Sequence, residues 1–172
     1  MDKIAMLHRI KEIYENNENV VEYLKKISNS DSNTIEDILI SYDFQAGTYI
    51  KNYEAQKMVM KPYFDAISKT IDKLCIESNL KKANLCEVGV GEATTLTQVS
   101  KQLAIETIKY GFDISWSRIK YANQFVMKND LKNVELAVGV LFATPLKDDS
   151  MDIVYTSHSI EPNGRWRRIL YS

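Results

Sequence analysis

From residue 84 onward, short apolar runs alternate with helical segments. The strand-like runs span residues 84–90, 108–113, 134–140 and 151–156, and the helical segments span residues 94–103 and 115–129. Strands that alternate with helices of this length are joined by right-handed crossovers, so their sheet is parallel. The pattern predicts an α/β fold whose ligand lies beyond the carboxyl ends of the strands.

Residues 1–80 show a different period, with apolar side chains three and four residues apart, which is typical of amphipathic helices. Thr34 supplies the N-cap of one helix, and acidic residues follow it in the first turn. A long helix is predicted over residues 53–75, with Pro62 as the point where it would kink or restart. We therefore expect a helical extension over residues 1–80 and an α/β core over residues 81–172.

The charges of the chain are balanced, with 22 Lys and Arg against 23 Asp and Glu in 172 residues. Such a chain has no global field that gathers nucleic acid or an anionic membrane surface, so neither partner is expected. No apolar run approaches the roughly 20 residues that span a bilayer. Cys75 and Cys86 lie in apolar patterns, which favours reduced packing residues over a disulfide or a metal site. We expect a cytoplasmic protein without a bound metal.

The glycines Gly89 and Gly91 stand where the first strand ends and the chain turns into a helix. Glycine suits such a turn because a side chain would hold a ligand away from the backbone, and because the turn can require a positive φ. A pair of glycines alone is a weak signal, and a tight turn without a ligand is an alternative. The strand before the turn and the helix after it favour a ligand site.

A second signal is Asp113, which ends the second strand. It lies near the spacing of roughly 20 residues after the glycines at which an acidic side chain accepts hydrogen bonds from ribose hydroxyls. The alternative is that Asp113 caps the following helix, although Ser115 is also a suitable cap. Together the turn and the acid predict a ligand that carries a ribose.

Three segments, residues 85–92, 110–115 and 144–158, resemble in order and spacing the successive motifs of class I S-adenosylmethionine-dependent methyltransferases. The resemblance covers residues 84–163. It implies a Rossmann-like parallel sheet of order 3-2-1-4, S-adenosyl-L-methionine as the cofactor, and transfer of its methyl group to an unidentified acceptor, which we expect to be a small molecule.

The resemblance also implies roles for individual residues. Glu87 would reach the polar groups on the methionine side of the cofactor, Gly89 and Gly91 would leave room for it, Asp113 would hold the ribose, and Ile114 would line the adenine pocket. Thr156, Ser157 and His158 would lie near the sulfonium and the substrate entrance. The loop after the third strand lacks the acidic residue usual in this family, and Leu141 and Phe142 there are candidates for an apolar wall, with core packing as the alternative.

The segment 41–50 resembles the lid that many of these enzymes place over the cofactor. Helical spacing would align Tyr42, Gln45 and Tyr49 on one face of a helix. An aromatic stripe at this spacing is more often part of the core than of a cofactor site. His158 is a weak candidate for a general base because imidazole titrates near neutrality, and a hydrogen-bonded histidine without a catalytic role is the alternative.

The resemblance stops soon after the fourth strand, and we expect a chain shortened there, in which cofactor binding survives better than turnover. The free edge of the fourth strand, with Ile153, Val154 and Tyr155, would then pair with a second copy of the chain and give a homo-oligomer. Two other functions stay open at this stage. They are a non-catalytic cofactor-binding or interaction module and, less favoured by the motifs, an NAD(P)-dependent oxidoreductase.

Overall fold

The fold is known from a computed structural model, which describes residues 3–16, 18–29, 34–157 and 159. Its helices are α1 (Lys3–Glu15), α2 (Val20–Ser28), α3 (Ile35–Gln45), α4 (Thr48–Glu77), α5 (Thr94–Ser100) and α6 (Trp116–Lys128), and its strands are β1 (Lys82–Val88), β2 (Glu106–Asp113), β3 (Val134–Val138) and β4 (Ile153–Thr156). The strands form one sheet in the order β3-β2-β1-β4, and each neighbouring pair is parallel. The predicted α/β class and strand order are confirmed.

The described residues fall into two compact units, residues 3–45 and Ala46–Ser159. The first unit contains α1 to α3, which bury a small apolar core of Ile10, Ile13, Val20 and Leu24. Helices α2 and α3 begin at capping side chains. The side chain of Asn19 accepts from the backbone N–H groups of Val21 and Glu22. The hydroxyl of Thr34 accepts from the N–H of Asp37, and the carboxylate of Asp37 accepts from the N–H of Thr34, which forms a reciprocal cap.

The second unit holds the sheet together with α4, α5 and α6. One face of the sheet packs against these helices through a core that includes Phe64, Leu85, Leu96 and Phe125. The opposite face carries Cys86, Val88 and Phe112, against which apolar residues of the segment between β3 and β4 pack. Helix α4 belongs to this unit, although the sequence assigned residues up to 80 to the extension, because its apolar face lies in the same core as the strands.

Helix α4 runs through Pro62 as one element, so the long helix is confirmed. The predicted single helical face of Tyr42, Gln45 and Tyr49 is wrong, because α3 ends at Gln45 and α4 begins at Thr48. Gly47 stands between the two helices with a φ of 94°, a left-handed conformation that interrupts helical geometry. Among the described residues, no helix is long and apolar enough to span a bilayer.

Two strands end earlier than the sequence pattern indicates. Strand β1 stops at Val88 because Gly89 turns the chain with a φ of 67°. Strand β3 stops at Val138, and Val140 instead forms a short antiparallel bridge with Ala143. Both strands therefore give way to loops at the carboxyl edge of the sheet. Ligands of α/β folds bind at this edge.

Candidate cofactor site

The carboxyl ends of three adjacent strands meet at one edge of the sheet. Strand β1 lies between β2 and β4, and Val88 pairs with Phe112 on one side and with Thr156 on the other. This register brings the predicted residues Glu87, Asp113 and Thr156 to the same edge. The carboxyl edge of a parallel sheet is the expected place for a cofactor.

The glycine turn begins directly after β1 and has an alternating left-handed backbone. Gly89, Gly91 and Ala93 have φ values of 67°, 55° and 57°. A Cβ built on Gly91 would have no described atom within 4 Å, so the space in front of this residue is open. A Cβ on Gly89 would instead overlap the side chain of Ser159. Gly91 therefore faces room for a ligand, whereas Gly89 permits close approach of the chain that follows β4.

Asp113 is buried at the end of β2 and is bonded to the glycine turn. Its Oδ2 accepts from the backbone N–H of Gly91 at 3.0 Å, and its Oδ1 accepts from the N–H of Ser115 at 2.9 Å. The N-cap of α6 is Ser115, whose hydroxyl accepts from the N–H of Arg118. The alternative in which Asp113 itself caps α6 is thus wrong. A carboxylate oxygen can accept more than one hydrogen bond.

Glu87 lies one residue from the end of β1 and is 2% exposed. Burial raises the pKa of this carboxyl from 4.5 to about 8, and the negative charge of Asp113 acts in the same direction. Hydrogen bonds from the hydroxyl of Tyr155, at 3.2 Å, and from the backbone of Leu96 act against this shift. Burial also raises the pKa of Tyr155 well above its ordinary value. Burial therefore favours the protonated form of the Glu87 carboxyl, whereas a nearby cation would favour the ionised form.

Tyr155 was missed as a site residue by sequence reasoning, which placed it on the free edge of the fourth strand. The β1–β4 register sets it directly opposite Glu87. Alternation along β4 would have put both side chains on one face once the strand pairing was known. The pairing itself is not visible in the sequence.

Glu92 was also missed. It stands inside the glycine turn, is 1% exposed, and receives two short hydrogen bonds from the start of α4. The backbone N–H of Gly47 donates to its Oε1 at 2.6 Å, and that of Ile50 donates to its Oε2 at 2.8 Å. Helix α4 has no side-chain cap from its own N-cap residue, Gly47. No local sequence signal could have found this contact, because its partners are separated by more than forty residues.

Tyr49 is half-exposed in the first turn of α4, with the guanidinium of Arg118 at 4.8 Å from its ring centre. Tyr42 and Gln45 lie on α3, in the first compact unit, where the amide of Gln45 donates to the hydroxyl of Ser41. The structure therefore brings Tyr49 into the unit that carries the glycine turn. It leaves the predicted role of Tyr42 and Gln45 as a prediction.

The remaining predicted residues flank the strand ends. Ile114 is half-buried between β2 and α6, Leu141 packs on the second face of the sheet, and Phe142 is half-exposed. The hydroxyls of Thr156 and Ser159 hydrogen-bond to each other and to the carbonyl of Val88. The hydroxyls of Ser157 and Tyr63 lie 2.6 Å apart. His158 lies outside the described residues.

The sequence matches a family model described as a methyltransferase domain over residues 79–168, a little over half of the chain. The chain therefore belongs to this methyltransferase domain family. None of the curated proteins matches it significantly in sequence.

The chain also resembles solved structures at low sequence identity. A protein of Methanococcus maripaludis, assigned as an S-adenosyl-L-methionine-dependent methyltransferase, is 18% identical with a TM-score of 0.54 over 64% of this chain and 49% of that one. A SAM-dependent methyltransferase of Aquifex aeolicus is 25% identical with a TM-score of 0.40, over 49% of this chain and 46% of that one. The chain thus spans about half the length of these proteins. The likeness to the first agrees with a Rossmann-like sheet.

Proposed function

We propose that the chain binds S-adenosyl-L-methionine at the carboxyl edge of its sheet and transfers the methyl group to a small-molecule acceptor. The observation that carries this proposal is the hydrogen bond from the N–H of Gly91 to Asp113, together with the open space in front of Gly91. A buried carboxylate, whose oxygens can each accept more than one hydrogen bond, stands next to a backbone that a ligand can approach closely. Membership of the methyltransferase domain family supports the same conclusion.

The residues of the edge fit the parts of this cofactor. Asp113 would accept from the ribose hydroxyls, and Glu87 would face the cationic ammonium of the methionine part. Ile114, with Leu141 and Phe142, would provide apolar surface for the adenine. Tyr49 would cover the bound cofactor, and Thr156 would lie near the reacting end. The cofactor supplies an activated methyl group on a sulfonium, so the protein's main task is to orient an acceptor for in-line attack.

Direct binding tests this proposal. We expect S-adenosylmethionine and S-adenosylhomocysteine to raise the melting temperature of the protein and to bind in calorimetry, because a ligand of the native state stabilises it by mass action. NAD is expected to do neither. Binding of NAD in preference to S-adenosylmethionine would refute the proposal and favour an oxidoreductase. Binding of S-adenosylmethionine without turnover on any acceptor would favour a non-catalytic module.

We further propose that the chain self-associates through β4. Within the described ranges, β4 pairs only with β1, and Val154 at its centre is 58% exposed. An apolar edge strand with unpaired backbone groups is a template for a second copy.

The expected result is a dimer or larger species in light scattering at tens of micromolar. Val154→Lys should shift the protein toward monomer, because a lysine on an edge strand opposes pairing. The matched control is Val138→Lys on β3, the strand at the opposite edge of the sheet, where the native residue is similarly exposed. A monodisperse monomer for the unaltered chain would contradict the proposal.

We assign the chain to the cytoplasm. Cys75 and Cys86 are both free and buried. Two free thiols in one chain are typical of a reducing compartment.

A further inference from the structure

We propose that Glu92 is a positioning residue that fixes the first turn of α4, and with it Tyr49, beside the glycine turn. Glu92 would do this without touching the cofactor. The inference rests on the function proposed above, since it concerns how the same cofactor site is held in place.

The geometry of the contact carries the inference. The two carboxylate oxygens of Glu92 accept from two different amides, those of Gly47 and Ile50. The first N–H groups of a helix have no partner inside the helix. A carboxylate there also meets the positive end of the helix dipole. Because the N-cap Gly47 has no side chain, Glu92 takes over the role of the missing cap from a distant part of the chain.

The backbone around Glu92 leaves the carboxylate little freedom. Its two neighbours, Gly91 and Ala93, both have left-handed φ values, and Ala93 begins the connection into α5. The same Gly91 donates its N–H to Asp113. A single turn of chain therefore links the proposed ribose acceptor on one side to the start of α4 on the other.

Two further contacts show what this link holds in place. The guanidinium of Arg118 lies over the ring of Tyr49, and a Cβ on Gly47 would come within 3.1 Å of the ring of Tyr121. Arg118 and Tyr121 are both on α6, whose N-cap Ser115 lies two residues after Asp113. The first turn of α4 is thus seated between the glycine turn and α6, and glycine at position 47 permits the close approach.

This arrangement couples the cofactor to α4. A cofactor that orders the glycine turn should stabilise the Glu92 contacts, and by reciprocity those contacts should raise the affinity for the cofactor. Substitution of Glu92 should therefore weaken binding although the residue makes no contact with the ligand. A side chain with a purely structural role would lower stability and leave affinity unchanged.

The test combines residue-resolved amide exchange by NMR with calorimetry, using S-adenosylhomocysteine as the probe. In the unaltered chain we expect the probe to slow exchange at the amides of Gly47 and Ile50. Glu92→Gln keeps only one acceptor oxygen, so without the probe exchange should be faster at the amide that loses its acceptor, and the probe should no longer slow it there. The Kd should rise about tenfold, which is within the usual range for energetic coupling between two sites. Glu92→Asp, which keeps the charge, should restore part of the affinity.

The matched control is Asp72→Asn. Asp72 also accepts from a distant backbone N–H, that of Ala104 at 3.0 Å, but lies far along α4 from the glycine turn. This variant should lose protection at Ala104 and keep the full affinity. If the unaltered chain binds S-adenosylhomocysteine and Glu92→Gln binds it with the same Kd, the positioning role is overturned and the proposed function stands. No binding by the unaltered chain overturns the proposed function and the positioning role with it.

Discussion

Asp113→Asn should weaken the binding of S-adenosylmethionine by about 1.5–3 kcal/mol, which is the usual contribution of a hydrogen bond to a charged group. The native carboxylate uses one oxygen for Gly91 and the other for Ser115. An asparagine has only one oxygen, so its NH₂ group must face one of these two N–H donors. The ribose loses an anionic acceptor at the same time. Calorimetric titration measures the loss of affinity directly.

The same substitution should also lower the free energy of unfolding by about 1–3 kcal/mol, because one buried backbone N–H is left without an acceptor. Asp152→Asn is the matched control. Asp152 accepts from the N–H of Asn84 at 2.7 Å, at the opposite end of the sheet from the glycine turn. The Asp152→Asn variant should have a lower free energy of unfolding and an unchanged affinity for S-adenosylmethionine. Lower stability with unchanged affinity for Asp113→Asn would show that the acid only holds the turn and does not bind the ribose.

The parts of the fold that could be predicted from sequence depend on neighbours along the chain. The strand runs, the cap at Ser115 and the reciprocal cap at Thr34 are local patterns, and the structure contains them. The strand order and the expected role of Glu87 came from the resemblance to the methyltransferase motifs. Asp113 was singled out as a candidate because it ends a strand at a recognisable spacing after the glycines.

What could not be predicted depends on contacts between distant segments. The break between α3 and α4 occurs at Gly47, a residue whose close approach to Tyr121 is invisible in the sequence. The role of Glu92 requires knowledge of where α4 begins in space. The opposition of Tyr155 and Glu87 requires the β1–β4 register. In each case the sequence does not show which distant segments contact each other. The helices and strands themselves could be predicted because they depend on neighbouring residues.

Glu87→Gln should make the protein more stable at alkaline pH and should make it a poorer binder of the cofactor. The pKa of Glu87 is raised from 4.5 to about 8 in the folded protein. The folded state therefore holds a proton that the unfolded state has already released, and stability falls as the pH rises between these two values. At about 1.4 kcal/mol for each pKa unit, the loss is on the order of 5 kcal/mol.

Glutamine removes this titration while keeping the shape and an acceptor for Tyr155. We expect the free energy of unfolding near pH 9 to rise by roughly 2–4 kcal/mol, somewhat less than the full shift, because a buried amide also loses water. Urea unfolding between about pH 5 and pH 9 should show a decline for the unaltered chain and little slope for Glu87→Gln. Glu106→Gln is the control, since the native side chain is 57% exposed in a surface pair with Lys82. It should leave the decline unchanged.

Although Glu87→Gln should raise stability, it should lower the affinity for the cofactor. The ammonium of S-adenosylmethionine favours the ionised carboxyl, so binding near pH 7 should release the proton of Glu87. Calorimetry in buffers of different ionisation enthalpy measures that release. Glu87→Gln should abolish it and weaken binding by about 1.5–3 kcal/mol, because the ammonium loses its anionic partner. A variant that is more stable yet binds as tightly as the unaltered chain, with the same proton release, would show that Glu87 does not meet the ammonium. Greater stability with weaker binding would identify the buried carboxyl as a group kept at a cost in stability for the sake of the cofactor.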